Sequence, residues 1–161
     1  MKIYMLIGCP GIGKTWIVKQ VEHDFVVVPH DARIHSRTDE RGYVDDILQA
    51  IARKPTKPLL IEVPFSISKI LGPLRWRGFD VEPLFIQEQF NVIADRYFKR
   101  EGRLIPLGHL KRQETYLARA VAEKAKYGSA EAILRYLKEV AKCQSSEPTA
   151  AGAAAISWMS P

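Results

Sequence analysis

Residues 8–15 have the residue types and spacing of a phosphate-binding loop. Their sequence, GCPGIGKT, fits the pattern G-x-x-x-x-G-K-[ST]. Glycine lets the backbone turn tightly, so that successive N–H groups can point at phosphate oxygens. In this pattern Lys14 reaches the β- and γ-phosphates, and the hydroxyl of Thr15 binds Mg²⁺. The motif therefore predicts binding of ATP or another nucleoside triphosphate together with Mg²⁺. The predicted nucleotide-binding residues of this segment are Gly8, Cys9, Pro10, Gly11, Ile12, Gly13, Lys14, Thr15 and Trp16.

The residues on either side of the motif predict a strand before it and a helix after it. Residues 3–7 are a short apolar run, typical of a buried parallel strand. Residues 15–21 can form a helix with Trp16, Ile17 and Val21 on its inner side. Strand, loop and helix in this order are the setting that a phosphate-binding loop requires.

Apolar runs alternate with helical periodicity along the rest of the chain. This alternation predicts an α/β fold, a P-loop kinase core whose parallel sheet of about four to five strands is flanked by helices. Pro83 predicts that the fourth strand is short or lies at an edge, because proline cannot donate to a strand ladder. The further predicted strands are 25–28, 59–63 and 81–86, and the predicted helices are 43–53, 66–74, 89–100, 108–127 and 130–140.

Acidic residues lie at the carboxyl ends of two predicted strands, the edge where ligands bind in open α/β sheets. Asp31 follows the second strand, and we expect it to orient and deprotonate an acceptor hydroxyl. The alternative is that Asp31 caps a helix. Residues 32–42 are polar and predict a loop that binds the substrate. The candidate substrate-binding residues are Arg33, His35, Arg37 and Glu62.

Three arginines near the end of a predicted helix indicate a lid over the triphosphate. Arg96 and Arg100 are one helical turn apart and share a face, and Arg103 follows Gly102 on a loop. Guanidinium groups match phosphate oxygens and stabilise charge that develops during phosphoryl transfer. We therefore predict that Arg96 and Arg100 are catalytic and that all three bind the nucleotide. A solvated surface charge cluster is the alternative.

Two segments resemble the phage polynucleotide 5′-hydroxyl kinases. Residues 7–16, IGCPGIGKTW, are very similar to that family's P-loop, where IGCPGSGKS precedes TW. Asp31 matches the aspartate with which the family activates its acceptor hydroxyl. The lid order of the family, two arginines four apart, then glycine, a V-P pair and leucine, is reproduced by Arg96, Arg100, Gly102, Ile105, Pro106 and Leu110. The resemblance covers about residues 2–31 and 92–112.

The chain also departs from that family. The arginine that the family places three residues after the aspartate is Ile34 here, and its third-strand aspartate has only Glu62 as a loose counterpart. Relatives of the family include small phage kinases that phosphorylate 5-hydroxymethyluracil within DNA. The resemblance therefore implies an ATP-dependent kinase acting on a DNA hydroxyl, either on the modified base or at a 5′ end. The replacement by Ile34 favours the base.

The distribution of charge agrees with a polyanionic partner such as DNA. Residues 1–95 hold twelve Lys and Arg against twelve Asp and Glu, whereas residues 96–142 hold twelve against five. The basic excess thus belongs to the second half. Two other functions stay open: a kinase for a nucleoside, nucleotide or sugar, and a nucleotide-hydrolysing switch. Asp31 and the arginine lid disfavour the switch.

Length and composition limit the organisation of the chain. With 161 residues we expect one P-loop kinase domain over residues 1–144, including a lid at about 96–110, and a flexible tail over 145–161. No apolar segment reaches the length of a membrane span, and no signal peptide is evident. Cys9 and Cys143 do not have the spacing of a disulfide framework or a metal site. The expected location is the cytoplasm, that of the host cell if a phage encodes the protein.

Overall fold

The computed structural model describes residues 1–30, 40–63 and 67–145, with the side chains of residues 40, 41 and 145 excepted. It contains a five-stranded parallel sheet in the order β2-β3-β1-β4-β5. The predicted α/β class and parallel sheet are therefore confirmed. The strands are β1 Lys2–Ile7, β2 Val26–Val28, β3 Leu59–Val63, β4 Asp80–Ile86 and β5 Lys126–Gly128. The helices are α1 Lys14–Val21, α2 Glu40–Ala52, α3 Ile67–Trp76, α4 Phe90–Glu101, α5 Leu107–Ala122 and α6 Ala130–Ser145.

Strand β1 occupies the centre of the sheet and leads directly into the phosphate-binding loop. It pairs with β3 on one side and with β4 on the other, and residues 3–7 are buried. A strand covered on both faces needs apolar side chains in both directions, which explains its continuous run of Ile, Tyr, Met and Leu. The central position fixes the point at which residues 8–13 emerge.

Helices cover both faces of the sheet, and successive strand residues alternate between them. Ile3, Met5 and Ile7 pack in one apolar cluster with residues of α2, α3 and α5, and this side is called the α2 face. Tyr4 and Leu6 pack in a second cluster with residues of α1, α4 and α6, the α1 face. The same alternation divides β3 and β4 between the two clusters. Because both faces are covered, the sheet is the middle layer of a three-layer fold, as the alternation of strands and helices predicts.

The predicted end of the helix over residues 108–127 is wrong. Helix α5 ends at Ala122, and Lys126–Gly128 forms β5, which pairs with residues 84–86. Two backbone hydrogen bonds close the helix, from the Lys124 N–H to Val121 O and from the Ala125 N–H to Ala120 O. This is the bonding of a Schellman motif, which places one residue at positive φ. Lys124 has φ 50°, where glycine is usual, so the sequence gives no sign of the stop.

The predicted end of the third helix and the prediction from Pro83 are also corrected. Helix α3 passes through Pro73 and ends at Trp76, instead of ending near residue 74. Strand β4 is seven residues long and internal, so Pro83 neither shortens it nor places it at an edge. Pro83 is tolerated because the ladder to β5 begins only at Leu84.

Helix α6 runs through Ser145, five residues further than the predicted end at 140. The remainder of the predicted tail lies outside the described residues. Within the described part of the chain, no helix combines the length and the apolar character needed to cross a membrane.

Candidate active site

The phosphate-binding loop turns sharply between the end of β1 and the first residue of α1. Gly11 has φ 85° and Gly13, which caps α1, has φ 109°, a region that side chains disfavour. A Cβ at Gly11 would also lie 3.3 Å from the Ile93 carbonyl oxygen of α4. These two glycines allow the backbone to curl beneath α4 and present the start of α1 to a ligand. A helix start of this kind attracts phosphate groups.

The Lys14 side chain is held inside the loop. It is 8% exposed, and its Nζ donates to the carbonyl oxygens of Gly8 at 2.6 Å and Cys9 at 3.1 Å. Burial lowers the pKa of Lys14 from its ordinary 10.5 to about 8, although the Glu62 charge opposes this shift. The ammonium group is therefore poorly solvated, and an incoming phosphate would supply a negative counter-charge.

Thr15 and Glu62 meet at the carboxyl edge of the sheet. The Thr15 hydroxyl donates to Glu62 Oε2 at 3.5 Å. Burial raises the pKa of Glu62, with Lys14 and Thr15 acting in the opposite direction. Adjacent oxygen ligands of an octahedral Mg²⁺ lie about 3 Å apart, and Mg²⁺ prefers hydroxyl, carboxylate and water oxygens. This pair is therefore of a type that could hold Mg²⁺, and the predicted contact of Glu62 with the substrate stays a prediction.

The three predicted arginines differ in how closely they approach the loop. Arg96 lies against it: its Nη1 donates to Ile12 O at 3.5 Å and is 3.9 Å from Glu88 Oε1. Arg100 is one turn further along α4, where it pairs with Glu101 and lies over the Tyr97 ring at 5.6 Å. Its positive charge also contributes to the lowered pKa of Lys14. Arg103 is exposed after the end of α4. The structure thus brings Arg96 to the loop and leaves Arg103 at the rim.

Two further residues lie beside the loop and were not predicted. The Gln113 amide of α5 accepts from Cys9 Sγ at 3.3 Å and donates to Glu88 O at 2.7 Å. The Glu88 carboxylate accepts the first N–H of α6, that of Ala130, at 3.0 Å. Glu88 follows β4, so a search for acidic residues after every strand would have found it. Gln113 is 104 residues from Cys9, and no local pattern connects the two.

Several predicted site residues cannot be placed in this arrangement. Asp31, Arg33, His35 and Arg37 lie outside the described residues, so their roles stay predictions. Trp16 is described, but it is 44% exposed and is not on the inner side of α1 as expected. Ile17 and Val21 do occupy that side.

Several solved structures resemble this protein, among them the following three. A gluconokinase from Sinorhizobium meliloti 1021 is 20% identical with a TM-score of 0.53, over 89% of this chain and 97% of that one. A tunicamycin resistance protein from Deinococcus radiodurans is 17% identical with a TM-score of 0.58, over 90% and 95%. A shikimate kinase from Acinetobacter baumannii, solved with shikimate, is 14% identical with a TM-score of 0.52, over 88% and 93%.

No protein-family model and no curated protein sequence matches the chain. At the identities of the three structures the likeness establishes the fold. Together with the motif at residues 8–15 and the strand order β2-β3-β1-β4-β5, it defines the P-loop NTPase fold.

The lowered pKa of Lys14 predicts a specific pH dependence of stability. Between about pH 8 and 10.5 the unfolded chain keeps a proton on Lys14 that the folded chain has lost, so the free energy of unfolding rises with pH in this window. The contribution is at most about 1.4 kcal/mol per pH unit. Urea denaturation of the ligand-free protein from pH 7 to 10 measures it. The control is Lys14→Met, since groups common to both proteins cancel in the difference. A difference that stays constant over this range would show that the pKa of Lys14 is not lowered.

Proposed function

We propose that this protein is a kinase that transfers the γ-phosphoryl group of ATP, or of a related triphosphate, to a hydroxyl of a small molecule. The observation that carries the proposal is the meeting of Lys14, Thr15 and Glu62 at one edge of the sheet, with Arg96 beside them. Phosphoryl transfer needs a phosphate cradle, a place for Mg²⁺ and positioned cations. These residues are of the types that supply all three.

The described residues divide the work of this reaction. Lys14 exchanges its carbonyl partners for β- and γ-phosphate oxygens. Thr15 and Glu62 would hold Mg²⁺, which would neutralise part of the phosphate charge. Arg96 and Arg100 stabilise the charge that builds up during transfer, and Asp31 orients and deprotonates the acceptor hydroxyl. Arg103 contacts the nucleotide once residues 96–110 close over it.

Two considerations favour a small acceptor. Two of the similar structures are kinases whose names refer to gluconate and shikimate, and each is matched over more than nine-tenths of its length. In addition, several cations of the basic half already have carboxylate partners, which reduces the positive field available to a polyanion. Such pairs are Lys99 with Asp95, Arg100 with Glu101, Arg119 with Glu123, and Lys126 with Glu82.

DNA is the second candidate acceptor. Besides the resemblance to polynucleotide kinases, Arg103, Lys111 and Arg112 are exposed around the start of α5, on the segment that follows the arginines of the site. Cations in that position suit a phosphate backbone. The acceptor would then be the 5-hydroxymethyl group of a modified uracil or a 5′-hydroxyl end.

A labelling experiment separates these functions. The protein is incubated with Mg²⁺, γ-labelled ATP and one acceptor at a time: sugar acids and polyols, nucleosides, a 5′-hydroxyl oligonucleotide, or 5′-blocked DNA containing 5-hydroxymethyluracil. We expect label on a small molecule, and Lys14→Met should lower transfer by about 10²-fold or more because a transition-state cation is lost. Label on DNA alone identifies a DNA kinase. If each acceptor in turn gives label in inorganic phosphate alone, the kinase proposal is contradicted.

The role of Asp31 is tested by Asp31→Asn. Asparagine keeps the shape and capping ability of aspartate but cannot take up the acceptor proton. We expect ATP affinity to persist while transfer to the acceptor falls by roughly 10²–10⁴-fold. Equilibrium ATP binding and single-turnover transfer measure the two effects separately. Unchanged transfer would instead assign Asp31 to the helix cap.

A further inference from the structure

Tyr43, on α2, contacts the ends of two strands with one hydroxyl group. Its side chain is fully buried on the α2 face. The hydroxyl donates to the carbonyl oxygens of Val28 and Glu62, each at 2.8 Å. Since a phenol has one proton, the two carbonyls share it or receive it in turn. Burial raises the pKa of Tyr43, so the hydroxyl keeps this proton.

The two carbonyls lie where the pairing of β2 with β3 ends. The last pair of that ladder is Val28 with Ile61, and Glu62 is one residue beyond it. Past this point β3 is still paired with β1, but β2 no longer supports it. The Tyr43 hydroxyl therefore connects the two strands beyond their last backbone pair. A buried carbonyl that loses its donor is costly, which makes this connection resistant to displacement.

The hydrogen bond from Tyr43 holds the backbone of Glu62, a residue whose side chain contacts Thr15. The Glu62 carbonyl is bonded to Tyr43 on one side, while its carboxylate faces Thr15 on the other side. A shift of the Glu62 backbone would move the carboxylate with it. The ring of Tyr43 also packs edge-on against His30 at 5.0 Å, so α2 fixes the exit from β2 as well.

We propose that Tyr43 is a positioning residue for the Mg²⁺ end of the site: its hydroxyl holds the Glu62 backbone so that the carboxylate stays beside Thr15. The proposal rests on the proposed function in that it takes Thr15 and Glu62 as the groups that hold Mg²⁺. Outer partners of this kind orient the groups that bind a metal, and their loss typically costs about 10–100-fold in metal affinity.

The test is the effect of Mg²⁺ on nucleotide affinity in Tyr43→Phe. Titration calorimetry with a non-hydrolysable ATP analogue, with and without Mg²⁺, gives the affinity gained from the metal. We expect Tyr43→Phe to reduce that gain by about 10-fold and to leave the Mg²⁺-free affinity unchanged, because the loop and Lys14 are untouched. An equal loss with and without Mg²⁺ would overturn the proposal.

Tyr136→Phe is the matched control. Tyr136 also donates its hydroxyl to a protein oxygen, Glu82 Oε1 at 2.7 Å. Glu82 pairs with Tyr4, three residues before the end of β1 and away from the loop. The control therefore removes another hydroxyl that donates a hydrogen bond, without disturbing Glu62, and the Mg²⁺ effect should stay at the wild-type value. A reduction of the same size in Tyr136→Phe would mean that general loss of stability is the cause.

A double-mutant cycle with Glu62→Gln isolates the mechanism. If Tyr43 acts through the Glu62 carboxylate, Tyr43→Phe should have little further effect on the Mg²⁺ dependence once Glu62→Gln is present. The same 10-fold effect in both backgrounds would contradict the proposal.

Replacement of Tyr43 by 4-aminophenylalanine provides a rescue, because its amino group again presents N–H donors to both carbonyls. A folded protein of this kind without recovery of the Mg²⁺ effect would also contradict it.

These binding measurements do not require phosphoryl transfer. If every acceptor stays unlabelled while Tyr43→Phe reduces the Mg²⁺ effect as expected, the proposed kinase function fails and the role of Tyr43 stands. If transfer is normal and the Mg²⁺ effect is unaltered in Tyr43→Phe, the reverse holds. If wild-type protein gains no nucleotide affinity from Mg²⁺, both the metal site and the role of Tyr43 are rejected.

Discussion

The register between β1 and β3 is the constraint on which the candidate site depends. Leu6 is paired with Glu62, so the acidic residue lies level with the end of β1, just before the loop. Its side chain shares a sheet face with Leu60, the face on which α1 packs, and this directs the carboxylate toward Thr15. A slip of one residue would turn Glu62 into the apolar α2 face and remove it from the loop. The cost of burying a carboxylate there, together with tight packing on both faces, holds the register.

The candidate site holds two charged groups in surroundings that disfavour their charged forms. Lys14 is buried with a lowered pKa, and Glu62 is half-buried with a raised one. A bound phosphate would supply the counter-charge for Lys14, and a divalent cation would supply that for Glu62. Around these two side chains, Gln113 contacts the loop at Cys9, and Tyr43 contacts the Glu62 backbone. Functional sites commonly contain groups in locally unfavourable environments of this kind.

The sequence predicts the parts of the site that depend on local patterns. The loop, Lys14, Thr15 and the position of Glu62 at a strand end follow from a motif and an apolar run, and the structure places them together. The fifth strand was not predicted as such, because Lys124 adopts the turn conformation that glycine would have signalled. The contact of Gln113 with Cys9 and the double contact of Tyr43 were also missed, since both join residues that are distant along the chain. Only three-dimensional packing determines such partners.

The proposed function depends most on Thr15 and Glu62 holding a divalent cation over the phosphate-binding loop. The most direct measurement is a crystal structure with Mn²⁺ in place of Mg²⁺ and a non-hydrolysable ATP analogue, in which anomalous scattering locates the metal. We expect a single strong anomalous peak beside the Thr15 hydroxyl, on the side facing the Glu62 carboxylate, with Lys14 moved from the Gly8 and Cys9 carbonyls onto the phosphates. A nucleotide bound elsewhere, or a metal remote from both Thr15 and Glu62, would contradict it.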